Sequence, residues 1–524
     1  MRILAVFAIL LALGSALGSS KHMEFEKHLF VPRTPEQIEM DRLIPIHMGE
    51  HGQSIVPFHP LLIHYDTSNL EHIKNENSEM YTFMNTKLIP AVVKHMSDTF
   101  KVREVQLNRV SVDKCSEQPI PANLKTDIKA DLILIFTAEA TKEDSFVAWA
   151  SACQLHRTTL RPTVGRVNMN PYYLSTEPKK FFDQFGTTLH EVYHVLGFSR
   201  SLYKYFINPV TMKRRVLTET FIENAVGKFP LIIVTPKVVE FTRRHFNCPK
   251  MRGMPVENEG EAGSKGSHWE KFLLGNEMMV SDTVANPIVS EFSLRLFEDS
   301  GWYQINYSMA EPIFWGRNAG CSILDGNCAM HGKKCITKGE EGCFYDYTFQ
   351  ATCSSDQFSD MCTFFTGTDF NVHDCRVLEN RDSDSDALGE FFGFKSRCFA
   401  GKLAANGYYQ GNMCYKATCS KGAINLVIGN SSYQCLSSGQ KIVPKGMKKY
   451  VICPDIKDFC DQLNASCDDD CSLNGRCLSS KKCRCYPGFS GPKCQNVGGN
   501  GGVHKSASSN DALVHGEGQL GWWD

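Results

Sequence analysis

The chain has 524 residues with a formal net charge of −1 at pH 7, and 42% of them are apolar. This length predicts about two to four domains, and the apolar fraction is large enough for a hydrophobic core. The nearly neutral charge provides no electrostatic basis for binding nucleic acid or an anionic membrane.

The 22 cysteines indicate an oxidising compartment, because reducing compartments rarely tolerate so many thiols without metals. Only three cysteines precede residue 321, and nineteen lie from Cys321 to Cys494. We therefore expect the first part of the chain to depend on an apolar core and the second part on disulfides.

Residues 1–16 are predicted to be a signal peptide, because Arg2 precedes an apolar run and small residues lead to a cleavage position after Ala16. The run is shorter than the roughly 20 residues that a bilayer-spanning helix needs. The C-terminal sequence GQLGWWD lacks the hydrophobic tail of a GPI signal. These features predict a secreted, extracellular protein without a membrane anchor.

The next elements in chain order indicate an α+β fold. Residues 17–54 are charged and irregular and are predicted to be a propeptide or a flexible lead-in. Apolar periodicity then predicts four strands and a helix with Pro90 in its first turn. The strands are predicted at 60–65, 131–137, 146–151 and 165–170, and the helix at 87–102.

Residues 181–196 are predicted to form a helix that carries the sequence HExxH. His190 and His194 are four residues apart, so a helix places both imidazoles on one face, where they can bind the same zinc ion. Glu191 lies to the side of that stripe and can act as the general base toward a water whose pKa zinc has lowered.

A third protein ligand is needed, and Arg200 occupies the position where compact sites of this type have a histidine. Gly197 can take the left-handed conformation that ends a helix and turns the chain. A glutamate from a later helix, Glu219 or Glu223, is one alternative, although acids four residues apart are typical of solvated helix faces. Gly197 argues against it, because a layout of consecutive helices needs no break there.

A later histidine is the other alternative, and His268 follows a glycine-rich segment that could return the chain to the metal. His245 and His331 are further candidates, but each lies near a cysteine and is better explained by a disulfide-rich loop. Met278 and Met279 follow His268 by ten and eleven residues. Two buried methionines are often core residues, yet a methionine turn beneath the zinc is typical of the metzincins.

With these motifs the sequence resembles leishmanolysin, a metzincin family in which a long insertion separates the glycine from the third histidine. Gly197 and His268 are 71 residues apart here. Three segments strengthen the resemblance, together with the cysteine pattern through Cys460: 147–153, 262–279 and 314–321.

The resemblance implies a zinc endopeptidase that hydrolyses protein or peptide substrates. His190, His194 and His268 would bind one catalytic Zn²⁺, Glu191 would be the general base, and Met279 would occupy the methionine turn. The implied fold is a metzincin-type catalytic domain, with a twisted sheet and an active-site helix, followed by a disulfide-rich domain. We place the N-terminal catalytic subdomain at 55–197, the insertion and methionine-turn subdomain at 198–320, and the cysteine-rich domain at 321–462.

Family members often keep the zymogen inactive with a propeptide cysteine. This chain has no cysteine before Cys115, so that mechanism is not expected here.

Residues 463–495 resemble an EGF-like module. Its six cysteines are Cys467, Cys471, Cys477, Cys483, Cys485 and Cys494. The resemblance implies the pairs 467–477, 471–483 and 485–494, and it implies docking onto other proteins or glycans. The acids 468–470 follow the first cysteine, so we expect a solvated loop and not a calcium site.

The remaining features concern the surface of the protein. Residues 496–524 are Gly/Ser-rich and are predicted to be disordered. Asn306, Asn430 and Asn464 begin candidate glycosylation sequons. A role in cell adhesion or matrix degradation is compatible with the enzyme, and the alternative function is a non-catalytic adhesive glycoprotein with the same fold.

Overall fold

The computed structural model describes residues 57–503, apart from 104–106, 117, 140–145, 157–158, 178–179, 212, 226, 261–264, 283, 285, 326–327, 329–334, 368–372, 406–407 and 500. The predicted signal peptide, the predicted lead-in, His331 and residues 504–524 lie outside the described residues.

A four-stranded sheet forms the centre of the N-terminal part. Its order is Ile63–Asp66, Leu132–Thr137, Pro162–Met169 and Ala148–Leu155. The first three strands are parallel, and the fourth, the edge strand, runs antiparallel to Pro162–Met169. Every residue of Leu132–Thr137 is buried, as expected for a strand covered on both faces. All four predicted strands are present, with their ends shifted by a few residues.

Two predicted helices are present, and one ends earlier than predicted. The helix Phe181–Leu196, called the motif helix below, has the predicted bounds. The helix predicted at 87–102 runs from Ile89 to Thr99 and includes Pro90 in its first turn. Residues Phe100–Val102 form a strand instead, because Phe100 and Val102 are buried while Lys101 is exposed, and this alternation suits a sheet.

Further helices and strands complete the described part of the chain. The other helices are Glu71–Glu76, Ser78–Phe83, Pro236–Phe246, Lys271–Leu274, Glu291–Asp299, Ser383–Leu388 and Ile456–Ala465. The other strands of three or more residues are Glu341–Cys343, Gln350–Ser354, Phe364–Thr366, Ser396–Ala405, Tyr408–Ser420, Ala423–Ile428, Ser431–Cys435, Lys448–Ile452, Gly475–Cys477 and Cys483–Cys485. Among the described helices, none is both long enough and apolar enough to cross a bilayer.

The two parts of the chain are stabilised as their cysteine content predicts. One large apolar cluster joins the central sheet, the motif helix and the segment after it. The C-terminal part has a smaller core beneath a six-stranded sheet and nine disulfides between Cys328 and Cys494. A mixed helix-and-sheet fold with a disulfide-rich C-terminal region is therefore confirmed. The helix Ile456–Ala465 spans the predicted domain boundary at residue 462.

The structure of the EGF-like module and the residues after it differs from two of the sequence predictions. Asn496–Val497 and Gly502–Val503, predicted as disordered, form strands that pair with Phe489–Ser490 and Cys483–Cys485. The acidic segment is not simply solvated: the Asp470 side chain is only 8% exposed and pairs with Arg397 at 3.0 Å. The implied disulfides 467–477, 471–483 and 485–494 are all present.

Candidate metal centre

Three histidines converge next to the motif helix. His190 and His194 lie one helical turn apart, and His268 comes from the segment that follows the insertion. The Nε2 atoms of His190 and His194 are 3.0 Å apart, and each is 3.2 Å from Nε2 of His268. One other group of metal-ligating atoms occurs among the described residues, and its three cysteines are all in disulfides.

Backbone carbonyls orient two of the rings. Nδ1 of His190 lies 2.7 Å from the carbonyl of Met278, and Nδ1 of His194 lies 2.7 Å from the carbonyl of Phe198. A ring nitrogen that donates to a carbonyl carries the proton, so the Nε2 lone pair of each ring is directed at the other histidines. Both rings are thereby held in the tautomer that a metal needs.

Gly197 makes the second of these contacts feasible. Its φ of +140° ends the helix, and the amides of Gly197 and Phe198 both donate to the carbonyl of Tyr193. A side chain at this position would be strained, and its Cβ would lie 3.0 Å from the ring of Trp302. Glycine therefore turns the chain so that the carbonyl of Phe198 reaches His194.

Glu191 is buried in the motif helix, directly after His190. Its Oε2 atom has no hydrogen-bond partner among the described residues, and its carboxylate accepts the backbone N–H of Ala150 in the edge strand. Burial raises the pKa of Glu191 to about 8, and the bond from Ala150 opposes that shift. The contact with the edge strand was not predicted, because no local pattern connects residues 150 and 191.

The methionine segment lies against the motif helix. Met278 contributes its carbonyl to His190, and its own amide donates to the carbonyl of Ile288. Met279 is fully buried, and its carbonyl accepts the amide of Trp269, the residue after His268. Met278 thus contacts His190 and Met279 contacts the residue after His268, while the predicted role of Met279 in a methionine turn stays a prediction.

A buried carboxylate that sequence reasoning missed holds this segment together. Glu277 accepts hydrogen bonds from the amide of Met279 and from the hydroxyls of Ser290 and Ser293. Burial raises its pKa to about 7. A glutamate in an apolar segment is not distinctive, so only the serines that surround it reveal its role.

Arg200, which replaces the histidine of a compact site, links the turn to the third histidine. Its amide donates to Oγ of Ser267, next to His268, and its guanidinium pairs with Glu223 at 2.6 Å. Glu223 and Glu219 are exposed and lie outside the histidine group. The glutamate alternative for the third ligand is therefore not supported.

His245 is also outside the group. It is buried against Phe241, Phe246 and Phe292, its Nε2 donates to the carbonyl of Trp315 at 2.7 Å, and burial lowers its pKa to about 4. These contacts identify it as a core residue.

Comparison with known proteins decides the family. The model of the leishmanolysin family matches residues 66–341, more than half of the chain, and this range includes all three histidines. The chain belongs to the leishmanolysin family. A teneurin-like EGF domain matches residues 467–497, in agreement with the disulfides described above.

The curated relatives of this leishmanolysin-family chain include proteins of flies and nematodes. A leishmanolysin-like peptidase of Drosophila melanogaster is 28% identical over 445 residues, which cover 65% of this chain and 65% of that protein. A leishmanolysin-like peptidase of Caenorhabditis elegans is 26% identical over 82% of this chain and 89% of that protein. The leishmanolysin of Leishmania chagasi is 29% identical over 46% of this chain and 39% of that protein. The chain spans just under two thirds of the length of the Drosophila relatives.

Proposed function

We propose that the chain is a zinc-dependent endopeptidase in which His190, His194 and His268 bind one catalytic zinc ion. The convergence of the three Nε2 atoms is the observation that carries this proposal, and the buried Glu191 follows one of these histidines directly in the motif helix. The names of the relatives, peptidase and metallopeptidase, support the same reaction class.

The donor set fits zinc. Nitrogen ligands about 2.0–2.1 Å from a tetrahedral zinc ion lie roughly 3.3–3.4 Å apart. The nitrogens here are 3.0–3.2 Å apart, so a shift of a few tenths of an ångström accommodates the ion. Structural zinc sites usually have four ligands that include cysteine, whereas three histidines leave one position open, which favours a catalytic role. Zinc in such a site supplies Lewis-acid catalysis and lowers the pKa of water towards 7.

Glu191 is proposed as the general base. Its carboxylate can accept the proton of the attacking water and pass that proton to the leaving amine. A raised pKa suits this role, because a base with a pKa near the working pH can both accept and return a proton. A non-catalytic adhesive protein would have no use for a buried carboxylate that directly follows one of three converging histidines.

The edge strand is proposed to hold the peptide. Among the described residues, no strand pairs with the outer side of Ala148–Leu155, and the contact of Ala150 with Glu191 supports a position of this strand beside the proposed site. An extended peptide could add to that edge through backbone hydrogen bonds. Such binding depends little on the side chains of the peptide, so we expect a broad peptide specificity.

Secretion is proposed on the basis of the eleven disulfides, which use all 22 cysteines. Asn430 and Asn464 are exposed and are the better candidates for glycosylation. The side-chain amide of Asn306 instead donates to the carbonyl of Asp98. Docking of the EGF-like module to proteins or glycans, and a role in adhesion or matrix degradation, remain proposals that would use the exposed face of the module.

The test is digestion of a peptide library by the purified protein, with and without a zinc chelator. We expect cleavage by the wild type, loss of cleavage on chelation, and recovery when zinc is restored. Glu191→Ala should abolish cleavage while one zinc per chain is retained. Unchanged cleavage by Glu191→Ala, or full activity without zinc, would refute the mechanism.

A further inference from the structure

One face of the EGF-like module (residues 467–497) is packed against the metal-binding part of the chain. Three side chains of the module carry this contact: Arg476, Arg484 and Tyr486. They lie on or directly after the strands Gly475–Cys477 and Cys483–Cys485. A face occupied in this way cannot at the same time recognise another protein.

Arg476 makes the most extensive contact. Its Nε and Nη2 atoms donate to Glu311 at 2.9 and 2.7 Å, and Nη2 also donates to the carbonyl of Pro287 at 3.1 Å. The guanidinium also contacts Asn286 and lies 4.0 Å from the ring centroid of Phe182. The Arg476 side chain is 14% exposed and that of Glu311 is 3% exposed. A charge pair so deeply buried is tolerated only when its geometry and its hydrogen bonds are well satisfied.

The other two side chains contact the first half of the motif helix and a neighbouring helix. Tyr486 stacks on Phe182 with ring centroids 5.9 Å apart, and Arg484 lies 5.0 Å from the ring centroid of Phe185. Arg484 also contacts Nδ1 of His95 in the helix Ile89–Thr99. Burial and the charge of Arg484 keep the pKa of His95 well below its usual value, so His95 is neutral and accepts this hydrogen bond.

A short series of hydrogen bonds connects Arg476 to the metal centre. Pro287, whose carbonyl Arg476 holds, precedes Ile288, and the carbonyl of Ile288 accepts the amide of Met278 at 2.8 Å. The carbonyl of Met278 accepts Nδ1 of His190 at 2.7 Å. Pro287 also packs on Gly186 of the motif helix, where an added Cβ would lie 3.1 Å from its ring.

Glu311 is also hydrogen-bonded to segment 286–289, at Val289. Its amide donates to the carbonyl of Val289 at 2.8 Å, so the residues on both sides of Ile288 are attached to the Arg476–Glu311 pair. Packed elements connected in this manner have few alternative positions.

We propose that the EGF-like module is an internal clamp, and that Arg476 is a positioning residue that orients His190 through segment 286–289 and Met278. The inference rests on the proposed function, because it assigns the module a part in the same site. It differs from the usual expectation for such a module, which is the recognition of a partner. The proposal concerns only the packed face of the module, and the exposed face remains accessible to a partner.

The test uses the full-length protein and variants that separate positioning from stability. Arg476→Met leaves the buried Glu311 with only Arg484, 3.7 Å away, as a charged partner, so the main variant is Arg476→Met/Glu311→Gln, which removes the closer charge pair. Arg476→Lys keeps the positive charge but removes the planar guanidinium, which donates several hydrogen bonds at once. Lys482→Met is the matched control, because it removes a positive charge from an exposed position of the same module.

Three readouts are measured: amide hydrogen exchange of residues 181–190 and 276–290, the rate of zinc release to a chelator, and kcat and KM for a library-derived peptide. For the double variant we expect exchange in both segments and zinc release to be about tenfold faster. We expect kcat to fall about fivefold while KM changes less than about twofold. Arg476→Lys should recover part of each effect, and Lys482→Met should match the wild type.

Two outcomes would overturn the clamp even if the double variant differs from the wild type. One is faster exchange confined to residues 467–497, with zinc release and kcat unchanged. The other is a uniform increase in exchange over the whole chain, which would show a loss of global stability and not of positioning. If the wild type cleaves no peptide, the proposed function fails, while hydrogen exchange and zinc release still test the clamp. If the wild type cleaves and the double variant matches it in all readouts, only the clamp fails.

Discussion

Gly165 determines how closely the motif helix approaches the central sheet. It lies in the strand Pro162–Met169, and a Cβ built on it would be 2.3 Å from Cγ1 of Val195, 2.8 Å from Cγ2 and 3.1 Å from Cβ. Val195 is β-branched and fully buried, so it cannot rotate out of the way. We therefore predict that Gly165→Ala displaces the helix that carries His190 and His194.

The size of the effect follows from the packing. Inserting a methyl group into a filled core costs about 1–3 kcal/mol, and the short distances place Gly165→Ala near the upper end. Val195→Ala removes two buried methyl groups and should cost about 2–3 kcal/mol. In the double variant the alanine methyl occupies space that the valine left, so we expect a total cost of about 2 kcal/mol. The sum of the single effects is about 5 kcal/mol, so the coupling is about −3 kcal/mol.

The assay is chemical denaturation of the wild type and the three variants, followed by zinc titration of each. Zinc affinity should fall in Gly165→Ala and recover in the double variant, because His194 precedes Val195 and moves with it. Gly186→Ala is the comparison within the motif helix: its Cβ would meet Pro287 at 3.1 Å, a milder contact than the 2.3 Å of Gly165→Ala, so we expect a smaller loss of stability and of zinc affinity. Additive effects of Gly165→Ala and Val195→Ala would refute the packing argument.

Three further predictions concern the turn, the metal and a buried acid. Gly197→Ala should lower the free energy of unfolding by about 2–4 kcal/mol, because the φ of +140° at this position disfavours a side chain. It should also weaken zinc binding about tenfold, because the carbonyl of Phe198 would move away from His194. Denaturation and zinc titration measure the two effects, and wild-type values would contradict the role of the turn. A chelator should lower the melting temperature, and added zinc should restore it, because a ligand that binds only the folded state stabilises it; a melting temperature that does not respond to either addition would argue against a metal centre. Burial raises the pKa of Glu390 from 4.5 to about 7. Between these pH values the folded state therefore binds more protons than the unfolded state. As pH rises through this window, the free energy of unfolding should fall by up to about 3 kcal/mol. Glu390→Gln should flatten this dependence in denaturation at pH 5 and pH 7.5, and an unchanged slope would show that Glu390 is not the group that titrates.

Local patterns predicted the parts of the site that depend on local geometry. The four-residue spacing of His190 and His194 places both on one helix face in any fold, and Gly197 indicated the turn that follows. The helix predicted at 87–102 was too long at its end, because apolar spacing continued into Phe100–Val102, where pairing with neighbouring strands favoured an extended backbone. Asp470 was expected in solvent but pairs with Arg397, a residue 73 positions away that no local pattern could indicate.

The sequence by itself determined the redox chemistry of the chain, the HExxH helix and, through its family resemblance, a third histidine 71 residues beyond Gly197. Only the tertiary structure decided what surrounds these residues: the contact of Ala150 with Glu191, the carbonyl of Met278 on His190, and the packing of Arg476 onto the segment behind it. The physical reason is that helix periodicity acts between neighbours in the chain. Orientation and burial depend on backbone groups and charges that become neighbours only when distant segments pack.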